Sequence, residues 1–359
     1  MATADIRYFL GANSPDGFYS LYDQMIDPVQ ARRIYILKGG PGCGKSTLMR
    51  RVAARAEELG QETEYIHCSG DPDSLDAVVL PGLGVAVADG TAPHVIEPRY
   101  PGVVEQYVDL GTCYRREGLD DVRGAIIRVT GAYKAGYGSA YRCLAAAGKV
   151  QEELRSMLTT PEMEGRLQRR AGGILSREVH RRRGAAPGRA TKRFLGAVTH
   201  RGRMRFYGTA EAQCSRIYEL SDRYGLAHSL LLPLLEGTVQ AGYDVVACPD
   251  PMAPERLAHL IVPELGLGFI STTPALPFKG KPYRRIRVEG AVEPQLLREG
   301  RARVRFAKKT ADALTDEGIL YLARTKARHD EMEDLYHPYI DFDRVRQVAD
   351  GIVVEIFGG

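Results

Sequence analysis

The chain repeats itself. Tyr8-Phe9-Leu10-Gly11-Ala12-Asn13-Ser14-Pro15-Asp16-Gly17 is echoed by Arg193-Phe194-Leu195-Gly196-Ala197-Val198-Thr199-His200-Arg201-Gly202, and Arg33-Ile34-Tyr35-Ile36-Leu37 by Arg216-Ile217-Tyr218-Glu219-Leu220, at separations of 185 and 183 residues. Cys68 matches Cys248, Leu80-Pro81-Gly82-Leu83-Gly84 matches Val262-Pro263-Glu264-Leu265-Gly266, and Arg166 to Ile174 resembles Arg344 to Ile352. Landmarks kept in order with slowly changing offsets mark a tandem duplication, so both halves must close the same fold. The junction falls near Arg183 to Lys192, where Gly184, Pro187 and Gly188 give the segment a linker's composition. At 359 residues there is chain enough for two cores. The expected domains span 1–185 and 190–359.

Within the first copy, Arg33 to Leu37 reads as a short strand and Ser46 to Leu59 as a helix. Between them Gly39-Gly40-Pro41-Gly42-Cys43-Gly44-Lys45-Ser46, followed by Thr47, is a complete GxxxxGK(S/T) phosphate-loop motif in its strand, loop, helix context. Glycines let consecutive backbone N–H groups turn toward phosphate oxygens, and the following helix aims its unpaired N–H groups at the same charge. Lys45 is the residue expected to reach the terminal phosphates, and Ser46 the one expected to ligate magnesium. The cofactors expected are therefore ATP and Mg2+.

Glu62 to His67 and Gly84 to Ala88 read as further strands, the second ending in Asp89. A carboxylate at the end of a parallel strand beside the loop is suited to holding magnesium, but Asp89-Gly90 is also a turn signal. No glutamate follows Asp89, so a base poised over an attacking water is not visible and slow hydrolysis is expected. Asp71, Asp73 and Asp76 follow the second strand, where a carboxylate would serve as base or magnesium ligand; Asp71-Pro72-Asp73-Ser74 reads equally as a turn and helix cap. That ambiguity carries over to the choice between ATPase and kinase.

His67, Cys68 and His94 match no closed set of four zinc ligands, and His94 is read as a loop residue over the site. The six cysteines form no CxxC pair and are expected reduced. With 44% hydrophobic residues, no apolar run approaching about 18 residues and a short polar Met1 to Arg7, the reading is cytoplasmic, with neither membrane span nor export signal. The net charge of +4 gives no strong nucleic-acid footprint. Arg166, Arg169, Arg170, Arg177, His180, Arg181, Arg182 and Arg183 concentrate charge before the junction, as a solvated helix or a contact for nucleic acid or an acidic partner.

Leu37 to Thr47, with His67 to Asp76, Val87 to His94 and Pro98-Arg99-Tyr100-Pro101-Gly102, resembles an uncharacterised bacterial family of duplicated P-loop proteins labelled as ATPases. The resemblance covers nearly the whole chain. It implies that Asp89 and the Asp71 to Asp76 segment belong to the site, and it implies no substrate or pathway.

The second copy departs from the motif. Gly39, Gly40, Gly44 and Lys45 become Asp222, Arg223, Ala227 and His228, while Gly42 and Ser46 persist as Gly225 and Ser229. Triphosphate binding is not expected there, although strands such as Leu265 to Ile270 should keep the fold. Thr112 to Arg183 and Pro294 to Asp350 read as helical, with a helical hairpin over Ala307 to Tyr336 and Arg115, Arg116 and Arg123 as candidate arginine fingers. The expected molecule is α/β, with tandem P-loop NTPase-like domains built on parallel sheets with helical extensions, the second degenerate, paired as an intramolecular pseudo-dimer. Its expected function is magnesium-dependent ATP hydrolysis coupled to conformational change. A small-molecule or nucleotide kinase using Asp71 or Asp73, with an unknown acceptor, and a non-enzymatic nucleotide sensor are the alternatives.

Overall fold

The computed structural model describes residues 5–358; residues 1–4, part of the Met1 to Arg7 segment read above, and residue 359 lie outside the described residues. The first half opens with β1 (Ile6–Tyr8), β2 (Gly11–Ser14), β3 (Gly17–Ser20) and β4 (Arg33–Lys38). Helix α1 (Lys45–Glu58) follows, then β5 (Glu64–His67), β6 (Leu75–Leu80), β7 (Val85–Asp89) and β8 (Glu105–Asp109). Two helices, α2 (Leu119–Leu158) and α3 (Pro161–Glu178), complete it. The second half runs β9 (Ala190–Lys192), β10 (Gly196–Thr199), β11 (Gly202–Arg205), α4 (Tyr207–Gln213), β12 (Arg216–Ser221) and α5 (His228–Gln240). It continues through β13 (Val245–Asp250), β14 (Ala253–Val262), β15 (Leu267–Thr272) and β16 (Arg284–Arg287), and ends in α6 (Pro294–Glu299), α7 (Arg301–Tyr336) and α8 (Phe342–Phe357).

The repeat read from sequence becomes two similarly folded six-stranded sheets, consistent with an intramolecular pseudo-dimer. One has the order β1-β5-β6-β7-β4-β8, and the other, read from its opposite edge, β9-β13-β14-β15-β12-β16. Every strand thus has a counterpart in the same place. The sheets are mixed, which corrects the parallel sheets expected: β6 and β14 each run antiparallel to both neighbours, while the remaining pairs are parallel. The reason lies after β5. Asp71 to Ser74 is a tight turn, with Ser74 N donating to Asp71 O at 2.8 Å, and it sends the chain straight back as β6 where a helix cap had been the alternative.

Alternation along the central strands assigns the two faces. Ile34 and Ile36 of β4 lie with Phe9, Phe194 and Ile217 in one core between the sheets. Tyr35 and Leu37 point the other way, into a core with α1 and the α8 residues Val345, Ala349, Ile352 and Ile356. On the second sheet Tyr218 and Leu220 meet α5 and the α3 residues Met163, Leu167, Ala171 and Ile174. The last helix of each half therefore covers the other half's sheet. Phe9 and Phe194 seal the centre, each N–H donating to the other's carbonyl at 2.9 Å.

Residues 307–336 form no hairpin. They belong to a single 36-residue helix, α7, which pairs with the 40-residue α2 of the first half, so the expected partner helix comes from the other repeat. Among the described residues no helix is long and apolar enough to cross a membrane.

Candidate functional site

Strand β7 lies directly beside β4 in parallel, with Leu37 opposite Asp89, so the end of β7 faces the loop that leaves β4. That juxtaposition follows from the mixed topology, because β6 turns back and leaves β7 to pair with β4. Gly39 to Gly44 joins β4 to α1, with Gly42 at φ 68° and Gly44 at φ 86°, left-handed values that side chains other than glycine rarely adopt. Close approach fixes two more glycines. A Cβ on Gly39 would lie 2.6 Å from Cys43 Sγ, and one on Gly40 would lie 2.5 Å from the Tyr114 hydroxyl. Pro41 is half-buried, Cys43 is buried, with burial pushing its thiol pKa up, and Thr47 is exposed on the first turn of α1.

Lys45 opens α1 and folds back over the loop. Its Nζ donates to Gly39 O at 2.9 Å and Gly40 O at 2.8 Å, and stands 3.5 Å from Asp89 Oδ2. The Lys45 and Asp89 side chains are 12% and 14% exposed, so solvent screens this pair only weakly. Asp89 Oδ1 accepts from Thr91 N at 2.8 Å and from its hydroxyl at 2.5 Å, a turn contact that also aims the second oxygen at Lys45. The turn reading of Asp89 is what these contacts show, and the same turn sets its other oxygen beside Lys45. Ser46 Oγ accepts from Leu75 N at 3.0 Å, tying α1 to the start of β6.

The other carboxylates separate. Asp73 is exposed and paired with Arg201 of the second half. Asp71 accepts from the Ser74 hydroxyl at 3.1 Å and lies 3.4 Å from Lys326 Nζ; burial works against its charge, but Lys326 and Ser74 prevail and hold its pKa below the usual carboxylate range. Asp76 lies inside β6, buried, with Tyr22 donating to it at 2.8 Å. His67 is buried with Nδ1 2.7 Å from Pro72 O, and burial lowers its pKa. Among the described residues, two groups bring metal-binding atoms within 4.8 Å of one another: Cys68, Asp76 and His94, and His329, Asp330 and Glu333.

Sequence reasoning missed the residues that back the loop. A Cβ on Gly42 would come within 3.3 Å of Glu333 Cβ in α7, and one on Gly44 within 3.2 Å of Val345 in α8. Tyr114, next to the candidate Arg115, is the residue that reaches the loop, whereas Arg115 donates to Pro338 O at 3.2 Å. No local motif announces the contacts of Gly42 with Glu333 and of Gly44 with Val345, each between residues about 300 positions apart.

The second copy confirms its departure in detail. Asp222, in place of Gly39, is buried and accepts from Tyr224, Leu226 and Ala227 N–H at 3.2, 3.0 and 2.7 Å, filling with a carboxylate the turn that an anion would otherwise approach. His228, in place of Lys45, accepts from Leu257 N at 3.0 Å, and burial lowers its pKa to about 4. Outside the loop, Arg166 and Arg170 of the basic segment line an open cavity with Arg285 and Arg287 of β16. No protein-family model, no curated protein and no solved structure matches the chain.

Proposed function

We propose that the chain binds ATP with magnesium on the Gly39 to Ser46 loop and hydrolyses it slowly, in a cycle coupled to the helices of its second half. The observation that carries this reading is the Lys45 ammonium, held 2.8–2.9 Å from two loop carbonyls and 3.5 Å from Asp89 at the start of α1. A lysine in this position exchanges carbonyl partners for phosphate oxygens without leaving a charge unpaired. Glycine at positions 39 and 40, where a Cβ would collide, and positive φ at Gly42 and Gly44 fit a backbone cradle. Ser46 and Asp89 would hold magnesium, which when bound neutralises charge at the terminal phosphates.

On this reading the chain is a duplicated P-loop protein of the family it resembles, with a second copy in which Asp222 and His228 have replaced the cradle and its cation. Coupling is supported by Glu333 and Val345, which abut Gly42 and Gly44, so a loop that shifts on binding must displace or repack α7 and α8. Hydrolysis is favoured over phosphate transfer because both candidate kinase bases are engaged, Asp73 by Arg201 and Asp71 by Lys326 and Ser74.

The test uses the full chain. Calorimetry with a nonhydrolysable MgATP analogue should give one binding event, and phosphate release should proceed without an acceptor. Mass spectrometry of a metabolite mixture should show no phosphorylated product. An acceptor-dependent product would establish a kinase, binding without turnover a sensor, and absence of binding would defeat the nucleotide reading altogether.

A further inference from the structure

Beside the phosphate loop lies a second cluster that nucleotide binding does not use. Cys68 follows β5, Asp76 lies in β6, and His94 sits in the loop after β7, so three separate segments converge. Their candidate ligand atoms lie within 4.8 Å of one another. Asp76 and His94 are only 3% and 7% exposed.

Buried carboxylates are normally paired with a cation or protonated. No lysine or arginine pairs with Asp76 among the described residues; its neighbours are the Tyr22 hydroxyl at 2.8 Å, His94 Nε2 at 3.4 Å, the Cys68 thiol and the carboxylate of Asp89. Lys45 stands 3.5 Å from Asp89, but among the described residues Asp76 itself has no fixed positive charge beside it. The His94 ring packs against Phe18 and Tyr22, at centroid distances of 5.1 and 4.9 Å, and presents Nε2 to Asp76. The 3.4 Å between His94 Nε2 and Asp76 Oδ1 exceeds the about 2.7–2.9 Å of a charge-assisted N–H···O bond. It matches the about 3.3 Å between two ligands bound tetrahedrally at about 2.0 Å.

Burial and the Asp76 carboxylate push the Cys68 thiol pKa well above its usual value, so a thiolate forms there only with a cation at the same point. The repeat supplies an internal control. Pairing of β6 with β7 and of β14 with β15 aligns Leu80 with Val262 and Val85 with Leu267, which sets Ala258 in place of Asp76 and Leu276 in place of His94. Cys68 gives way to Asp250, and Cys248, matched to Cys68 from the sequence, instead pairs with His259 and so takes the place of Ile66. The donor set has been lost from the same half that has lost Lys45.

We propose that Cys68, Asp76 and His94 bind one soft divalent cation, zinc, through thiolate, carboxylate and imidazole nitrogen, with Tyr22 holding Asp76 in place. On binding, the Cys68 thiol proton leaves to solvent. Thiolate selects zinc over magnesium, so this cation is distinct from the one proposed for Ser46 and Asp89, and the proposal does not depend on nucleotide binding. With three protein donors, the cation would pin the loop carrying Thr91 and His94 to β6 and leave a fourth position for water or a ligand.

The test is titration of the chelator-treated full chain with cobalt(II) and then zinc, without nucleotide. One cobalt per chain with a thiolate-to-metal charge-transfer band, displaced by one zinc and not by excess magnesium, is expected. Cys68→Ser should abolish the band. Asp76→Asn and His94→Ala should weaken zinc binding more than about tenfold, and Tyr22→Phe about tenfold. His329→Ala, which disrupts the other metal-like cluster, should leave binding unchanged. Absence of stoichiometric binding or of a thiolate band in the parent chain overturns the proposal whatever the variants do, and so does a band that survives Cys68→Ser or disappears with His329→Ala.

Discussion

Ile174 and Ile352 occupy corresponding places in the two repeats and lie in opposite cores. Ile174, in α3 of the first half, packs with Tyr218 and Leu220 of the second sheet; Ile352, in α8 of the second half, packs with Tyr35 and Leu37 of the first. Each sheet is thus completed by the other repeat, and the core between the sheets is shared as well. The molecule is duplicated in sequence but reciprocal in packing. The last helix of the second half thereby becomes part of the first half's core.

This reciprocity predicts where single core truncations will be felt. Ile352→Ala should destabilise the first sheet and α1, about 300 residues away in sequence, by about 2–5 kcal/mol. Ile174→Ala should do the same to β12 and α5. Hydrogen exchange on the full chain measures both. Faster exchange confined to the mutated residue's own repeat would contradict the exchange of helices.

Lys45→Ala should weaken MgATP binding about 10- to 100-fold, the range expected when a hydrogen-bonded charge contact of about 1.5–3 kcal/mol is lost. The substitution also deprives Asp89 of its 3.5 Å cation, so folding must be verified first. Calorimetry on a folded variant decides the matter, and an affinity equal to the parent's would remove Lys45 from the site.

What could be read in the sequence was what is local. The strand, glycine loop and lysine lie within 14 residues of one another, and Asp89 followed from its place at a strand end; all of these meet in space. Strand β6 was obscured because Leu75 to Leu80 is buried throughout, so it shows neither alternation nor helical period, and Asp76 interrupts its apolar run. Its antiparallel course is what brings Asp76 beside Cys68 and His94, hence a donor set that spacing along the chain did not reveal. Lys326, Glu333 and Val345 were out of reach for another reason. Their places depend on α7 pairing with α2 and α8 covering α1, which are contacts between repeats that each helix's own pattern leaves open.

Asp89→Asn keeps the shape of the side chain and the bonds from Thr91 but removes the charge facing Lys45. Turnover should fall at least about tenfold and require more magnesium, while magnesium-free nucleotide binding should change less, because a neutral amide is a poor ligand for a hard cation. Initial rates across a magnesium series measure the first effect and calorimetry in chelator the second. Unchanged rates and magnesium dependence would leave Asp89 only its turn with Thr91.

The degenerate loop should reveal itself through pH. His228 is held neutral in the folded chain, with burial and the nearby Arg256 lowering its pKa to about 4 while its Nδ1 accepts the Leu257 N–H. In the unfolded chain the same group titrates near about 6.5. A base whose folded pKa is depressed binds more protons when unfolded, so its contribution is fully present above about pH 6.5 and is lost progressively as pH falls toward about 4. His228→Asn retains an acceptor for Leu257 but cannot titrate. The parent should therefore lose stability relative to the variant between about pH 6.5 and 4, with a constant difference above that window, as read from urea midpoints across a pH series. A difference that stayed flat from pH 7 to 4 would mean that His228 titrates in the fold as it does in the unfolded chain, so that burial does not hold it neutral below about pH 6.5.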